Sequence, residues 1–340
     1  MAELARVAEL LGSPVFNQSV PFLAVFPTAH PLFVGELTRN QARVRRLLEP
    51  YDLLFIVGGD GLRMSVPGPV DPLPPGLPIV QVGTRDWELG KTYPAEIALD
   101  ADVKMTLAAL VPILERRRSK SYVKAAEERT ARVRAGNWSA QRAELVTKTE
   151  PLATRKPIMA DYLMLKIAET LPADAVVVDE GVTATRSLLR LLPIADRQRF
   201  FGLASGGIGW GIAGVVGVQL ALPQRRTVAI IGDGSSMYSI QALWTAAHLK
   251  LPITFVICNN GAYSILKERL VAFGGASVAK ETMIGMDFDP PIRFTGLAES
   301  MGVAARRVED PADIVPALRW ALSQDGPTLL DVALHDGYKN

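Results

Sequence analysis

Cysteine is almost absent from this chain of 340 residues, which has one, Cys258. A single thiol cannot close an internal disulfide, so the sequence does not encode a secreted, disulfide-stapled scaffold. Charge of one sign is lacking too. Lys and Arg number 37 against 35 Asp and Glu, a formal charge of +2, which gives neither nucleic acid nor an anionic membrane an electrostatic reason to bind. The N-terminus, MAELARVAELL, has no basic run ahead of an apolar one and does not read as a signal peptide. The longest stretch without charge, Gly202 to Gln224, has the roughly 20 residues a membrane span needs. Its several glycines, Ser205 and Gln219 make it instead a buried segment of a soluble domain. A cytoplasmic protein with no nucleic-acid and no membrane partner is the expectation.

What is present is a globular balance, 49% hydrophobic and 21% charged, with length for about two domains. Val7, Leu10 and Leu11 fit one face of a short helix. Asp52 to Gly59, DLLFIVGG, and Leu77 to Gly83, LPIVQVG, are apolar runs stopped by glycine. Such runs suit strands buried on both faces of a parallel sheet. A Pro/Gly-rich loop, Val66 to Gly76, separates them, and a helix is predicted from Asp102 to Arg118. Glu115 to Lys156 is dense in Arg, Lys and Glu and reads as a solvated helix or a linker. Beyond it, Leu163, Ile167 and Leu171 recur at helical spacing. Three apolar runs end in polar turns: AVVVD before Glu180-Gly181, TVAII before Gly232-Asp233-Gly234, and Ile253 to Cys258 before Asn259-Asn260-Gly261. Helices are predicted at 239–249 and 312–322, and a last strand at 328–334. The reading is an α/β chain of two doubly wound parallel-sheet domains, the first incomplete. The boundaries are 1–118, a charged linker 119–156, and 157–340.

In such sheets ligands sit outside the carboxyl ends of the strands, where these polar turns fall. Asp233 offers a carboxylate and Asn260, 27 residues later, an amide oxygen. One helix and one strand lie between them, so both return to the same sheet edge. Few hard oxygen donors, completed by phosphate and water, suit Mg²⁺. Gly232 and Gly234 let backbone approach a diphosphate, with Ser235 beside them. Either turn alone would be an ordinary Asp-Gly or Asn-Gly turn; the paired unit is more specific.

That unit resembles the signature of thiamine-diphosphate enzymes, and the chain is similar to the benzoylformate decarboxylase type. IIGDGSSMYSIQALWTAAHLKLPITFVICNN (230–260), ASGGIG (204–209) and FPTAHPLFVG (26–35) carry the likeness. The resemblance implies a thiamine-diphosphate- and Mg²⁺-dependent, non-oxidative decarboxylation of a 2-keto acid. It implies Asp233, Asn260 and the Ala262 carbonyl as metal ligands and Thr183 on the diphosphate. It implies the Gly206 carbonyl as acceptor for the cofactor's 4′-amino group, and Ile208 as the wedge that bends the cofactor. His30 matches a histidine that moves protons near the substrate; without the match it would be an ordinary hydrogen-bonded loop histidine.

The family has a pyrimidine-binding domain that supplies an activating glutamate, and nothing in this sequence matches it. The expectation is therefore a fragment of a longer protein or a subunit. It would work as a homo-oligomer or with a chain supplying the pyrimidine-binding domain, and would be catalytically inactive alone. An acetolactate-synthase-like carboligase is the alternative activity. Ile265, Lys267 and Arg269 stand where the resembled enzyme is largely apolar and aromatic, so a benzoyl substrate is not implied and an acidic or smaller 2-keto acid is open. Gly209-Trp210-Gly211-Ile212-Ala213-Gly214 is literally a dinucleotide fingerprint with Asp233 about 20 residues on. No clean apolar strand precedes it, however, and it leaves Asn259-Asn260 unexplained.

Overall fold

The structure is a computed structural model describing residues 1–18, 21–59, 61–64, 68–274 and 283–337. The chain divides into two compact units, Met1–Pro21 with Val25–Ala140, and Phe22–Ala24 with Gln141–Asn340. The division falls within the segment 119–156.

In the first unit, α1 (Ala2–Leu11) buries Val7, Ala8 and Leu10. It stops at Gly12, whose φ of 62° is left-handed. β1 (Val15–Asn17) and β2 (Phe33–Glu36) form a parallel pair, and α2 (Gln41–Leu48) follows, capped by the Asn40 side chain. β3 (Leu54–Val57), β4 (Ile79–Gly83) and β5 (Ile97–Asp100) make a separate parallel sheet in that order. The two apolar runs of the sequence are thus strands β3 and β4. Part of the Pro/Gly-rich loop, 66–67, lies outside the described residues. α3 (Val103–Arg117) starts at Asp102, whose carboxylate accepts the Met105 N–H at 2.8 Å.

The charged segment turns out to be helical. Ser119 caps α4 (Lys120–Arg134), and α5 (Trp138–Thr149) follows. α4 is not a free spacer. Arg129 donates to the Leu11 carbonyl through Nε at 3.1 Å and through an η nitrogen at 2.7 Å. A Cβ at Gly12 would lie 2.4 Å from the Ala126 carbonyl oxygen, so α1 and α4 approach at a distance only glycine permits.

The second unit opens with α6 (Ala160–Thr170), which buries Leu163, Met164, Leu165 and Ile167. Then come β6 (Val176–Glu180), α7 (Leu188–Leu191), β7 (Phe200–Gly202), α8 (Trp210–Ala221) and β8 (Thr227–Gly232). After these come the single turn α9 (Asp233–Ser236), α10 (Ala242–His248), β9 (Ile253–Asn259) and α11 (Ser264–Gly274). α12 (Phe294–Ser300), β10 (Ala304–Val308), α13 (Ile314–Ser323) and β11 (Thr328–Ala333) complete it. The six strands form one parallel sheet in the order β10-β11-β9-β8-β6-β7. Val228, Ala229, Ile230 and Ile231 of β8 are fully buried. The larger side chains among them are each worth about 1.5–3 kcal/mol of burial, as expected for a strand covered on both faces. The uncharged stretch 202–224 supplies α8, not a membrane span. Among the described residues no helix is long and apolar enough to cross a membrane.

The sequence reading named only some of these elements; the short strands β1, β2, β5, β7 and β10 and the helices α2, α7, α11 and α12 escaped it. β10 is an edge strand reading AARRV, whose Arg306 and Arg307 hide the β pattern. β7 is three residues long and lies at the other edge, where Gly202 donates its N–H to the Phe22 carbonyl at 2.9 Å.

Strand order locates the site. The chain leaves β6 towards β7, then returns across β6 to lay down β8, β9 and the rest on the other side. The topological switch lies between β6 and β8, and the crevice for a ligand opens beyond their carboxyl ends.

Candidate functional site

Three strand ends meet at that crevice. β6 ends at Glu180 and continues into the loop of Gly181, Val182 and Thr183. β8 ends at Gly232, which runs into Asp233. β9 ends at Asn259, followed by Asn260. A Cβ built on Gly232 would sit 3.8 Å from the Glu180 carbonyl oxygen and 3.9 Å from that of Gly181, so the first two ends are in contact. The second and third are joined by Asp233. Its Oδ1 accepts the Gly234 N–H at 2.7 Å and its Oδ2 the Gly261 N–H at 2.7 Å. Asn260 Oδ1 accepts the Ala262 N–H at 3.0 Å, and Gly261, at φ 66°, makes the turn. Asp233, Asn260 and Ala262 are therefore brought together.

Asp233 is 4% exposed. Burial pushes its carboxyl up to about 6, and backbone N–H groups of Gly234, Gly261, Asn260 and Ala262 pull it partly back. All the groups that steady the anion are neutral amides. A carboxylate and an amide oxygen this close, in a buried site, fit a divalent cation of the hard class, which would supply the missing positive charge. Among the described residues there is no group of three or more His, Cys, Asp or Glu able to hold a metal by themselves. A cation here would thus depend on the amide, the Ala262 carbonyl and ligand oxygens.

The remaining expected residues divide by position. Thr183 is half-buried in the loop after β6, and Val182 before it has φ 53°. A β-branched residue in the left-handed region marks a loop held under strain. Ser235 lies in the single turn α9 with Asp233, two residues after it, and is buried. Gly234 behaves otherwise than expected. Its missing side chain is not open to a ligand, because a Cβ would lie 2.8 Å from the Tyr263 ring and 3.2 Å from Phe288. These rings pack edge to face at 4.8 Å. Gly206, at φ 81°, and Ile208, 38% exposed, stand in the loop before α8.

His30 belongs to the first unit. Its Nδ1 accepts the Leu32 N–H at 3.2 Å, its Nε2 lies 3.3 Å from Glu9 Oε1, and its ring meets Phe26 edge to face at 5.1 Å. Locally it is a well-partnered loop histidine.

Lys267 needs a correction. It is 3% exposed and donates to Asp287 at 2.8 Å and to Asp336 at 3.1 Å. Burial pulls its ammonium down, but the bonds to both aspartates outweigh this and its pKa ends raised. Its charge is committed to tying the C-terminal segment to α11, so it gives no reason to favour an acidic substrate. The dinucleotide reading also fails on geometry. The N–H groups of Gly209, which caps α8, and of Gly211 in its first turn donate to the Glu180 carboxylate, which occupies the place a pyrophosphate would take.

Sequence reasoning missed three acids around this edge, Glu180 and Asp331 buried and Asp179 partly exposed. Asp179, beside Glu180, accepts the Gly181 N–H at 2.9 Å; burial pushes its carboxyl up to about 6, opposed by that bond and one from Thr185. Asp331 on β11 accepts from Asn259 Nδ2 at 2.8 Å and from Arg307 at 2.6 Å, linking β10, β11 and the end of β9. The signal was present: an acid inside or closing an apolar strand is costly unless partnered. Cys258, on β9, is buried, and burial pushes its thiol up, so it stays protonated.

Comparison with known proteins follows the same division. Residues 1–110 match the thiamine pyrophosphate enzyme central domain, and residues 181–332 match the thiamine pyrophosphate enzyme C-terminal TPP binding domain. The benzoylformate decarboxylase of Pseudomonas aeruginosa is 30% identical over 327 residues, covering 96% of this chain and 57% of that protein. A putative acetolactate synthase large subunit of Mycobacterium tuberculosis is 38% identical over 170 residues, 49% of this chain and 33% of that protein. The solved 4-hydroxybenzoylformate decarboxylase of Rhodococcus jostii RHA1, described as thiamine diphosphate-dependent, superposes with a TM-score of 0.81 at 28% identity. It covers 98% of this chain and 58% of that one. The chain thus spans little more than half the length of the full-length relatives it matches.

Proposed function

The chain belongs to the thiamine pyrophosphate enzymes, and from that premise we propose that its second unit holds the diphosphate of thiamine diphosphate through Mg²⁺ and serves the non-oxidative decarboxylation of a 2-keto acid. The observation that carries this is the meeting of Asp233 with the Asn260–Ala262 turn at the switch point of the sheet. Asp233, the Asn260 side chain and the Ala262 carbonyl would hold the metal, with Gly232 and Ser235 as the surrounding cradle and Gly234 donating its N–H to Asp233. Thr183 would donate to the diphosphate from the strained loop after β6. Bound thiamine diphosphate supplies a carbon nucleophile for the keto carbonyl and a sink for the electrons released with CO₂. Gly206 would present its carbonyl to the 4′-amino group, and Ile208, half out of the surface beside it, would press the two rings into a bent shape. His30 would move a proton near the substrate.

Carboligation of the acetolactate synthase kind is the second reading, favoured by the 38% identical stretch shared with a putative synthase subunit. Metal and diphosphate would be held alike in both.

Isothermal titration of the purified chain with thiamine diphosphate tests the site. Binding is expected with Mg²⁺, is expected to vanish in EDTA, and is expected to vanish in Asp233→Ala. Unchanged affinity in that variant would remove the metal assignment. Product analysis with benzoylformate and with pyruvate, together with any partner supplying the rest of the enzyme, separates aldehyde release from carbon–carbon bond formation.

A further inference from the structure

Glu180 closes β6 and is 2% exposed. A glutamate in such a place is costly unless every oxygen is satisfied. Here the carboxylate accepts the N–H of Gly209, which caps α8, and that of Gly211 in its first turn. The fit is close, since a Cβ on Gly211 would lie 2.8 Å from both Cβ and Oε2 of Glu180. The same turn is gripped from its other side. Ser239 Oγ donates to the Gly209 carbonyl, and a Cβ on Gly209 would fall 2.4 Å from Tyr238 Cβ. Gly209, at φ 95°, is the last residue of the loop that carries Gly206 and Ile208.

We propose that Glu180 is a positioning residue that sets the Gly206–Ile208 loop, and with it the register of the cofactor's pyrimidine end, through the first turn of α8. The inference rests on the thiamine diphosphate reading of the site. Its physical basis is a charge-assisted pair of bonds to a helix N-terminus, stronger than neutral ones and directional because two N–H groups share one carboxylate. The same contact removes a competing anion site. With the Gly209 and Gly211 amides committed to Glu180, that helix start is a poorer anion site and the diphosphate is left to the Gly232–Ser235 end. Among the described residues no hydrogen bond joins Glu180 to Asp233 or to the Asn260 turn, so the two ends of the cofactor would be held by separable groups.

The test uses the chain in two variants that disturb the contact from opposite sides. Glu180→Gln keeps the shape but turns an amide NH₂ against one backbone N–H. Gly211→Ala suits a helix but drives its methyl into the carboxylate. Each is titrated calorimetrically with Mg²⁺ plus inorganic pyrophosphate and with Mg²⁺ plus thiamine diphosphate. Pyrophosphate affinity is expected to stay within about twofold, while thiamine diphosphate affinity falls about tenfold or more, a loss of ~1.4 kcal/mol. A merely structural role would weaken both ligands together. Parallel losses, or no loss in either variant, would overturn the assignment of Glu180. Failure of the unsubstituted chain to bind thiamine diphosphate with Mg²⁺ would instead overturn the functional reading itself, and this inference with it.

Discussion

Asp179→Asn is expected to make the metal-free protein more stable at neutral pH and to lose most of that advantage in acid. In the folded chain burial raises the Asp179 carboxyl from 3.8 to about 6. Because the folded pKa lies above the unfolded one, the folded state keeps a proton that the unfolded state has released between these two values. Stability therefore falls as pH rises through the window from 3.8 to about 6, and the penalty is complete above it. Two pKa units at 1.36 kcal/mol each make the ionised carboxylate cost on the order of 3 kcal/mol at pH 7.5, shrinking to about 1 kcal/mol at pH 4.5. Asparagine keeps an oxygen for the Gly181 N–H and carries no charge, and the Thr185 hydroxyl can turn to accept from the new amide. Urea unfolding of both proteins in EDTA at pH 4.5, 6.0 and 7.5 measures the difference. A gain at pH 7.5 that narrows towards pH 4.5 is expected. No gain at pH 7.5, or a gain that does not change with pH, would refute the attribution to a buried charge.

Val182→Gly relieves left-handed strain of about 1–2 kcal/mol and adds roughly 0.5–1 kcal/mol of unfolded-state entropy, so a net gain near 1 kcal/mol or below is expected. A lower thermal midpoint would show that the φ of 53° is not strained. Lys267→Met removes the cation shared by Asp287 and by Asp336, whose side chain is 1% exposed. A loss of about 3–5 kcal/mol is expected by denaturant unfolding. Wild-type stability with an altered preference among keto acids would restore Lys267 to the substrate pocket.

How far the site could be read from sequence depends on the residue. Asp233 and Asn260 were legible because one βα crossover of fixed length returns the chain to the same sheet edge, so their spacing encodes their proximity. Glu180 and Asp331 were not, because Glu180's partners lie 29 and 31 residues away and those of Asp331 lie 24 and 72 residues away on two different strands. No local pattern specifies which strand ends adjoin. Lys267 was misread for a related reason. A cation after a ligand motif looks like a substrate contact until the chain 69 residues later folds back to neutralise it.

By itself the sequence determined the alternation of buried strands and helices, the polar turns that close β6, β8 and β9, and the thiamine pyrophosphate family. These depend on hydrophobic period and on residues near one another in the chain. Only the tertiary structure decided the strand order β10-β11-β9-β8-β6-β7 and hence where the crevice opens. It likewise decided that α4 packs on α1 and that the α8 amides are closed by Glu180. Those outcomes rest on pairings between distant segments, which burial and hydrogen-bond satisfaction select together and no short window of residues can specify.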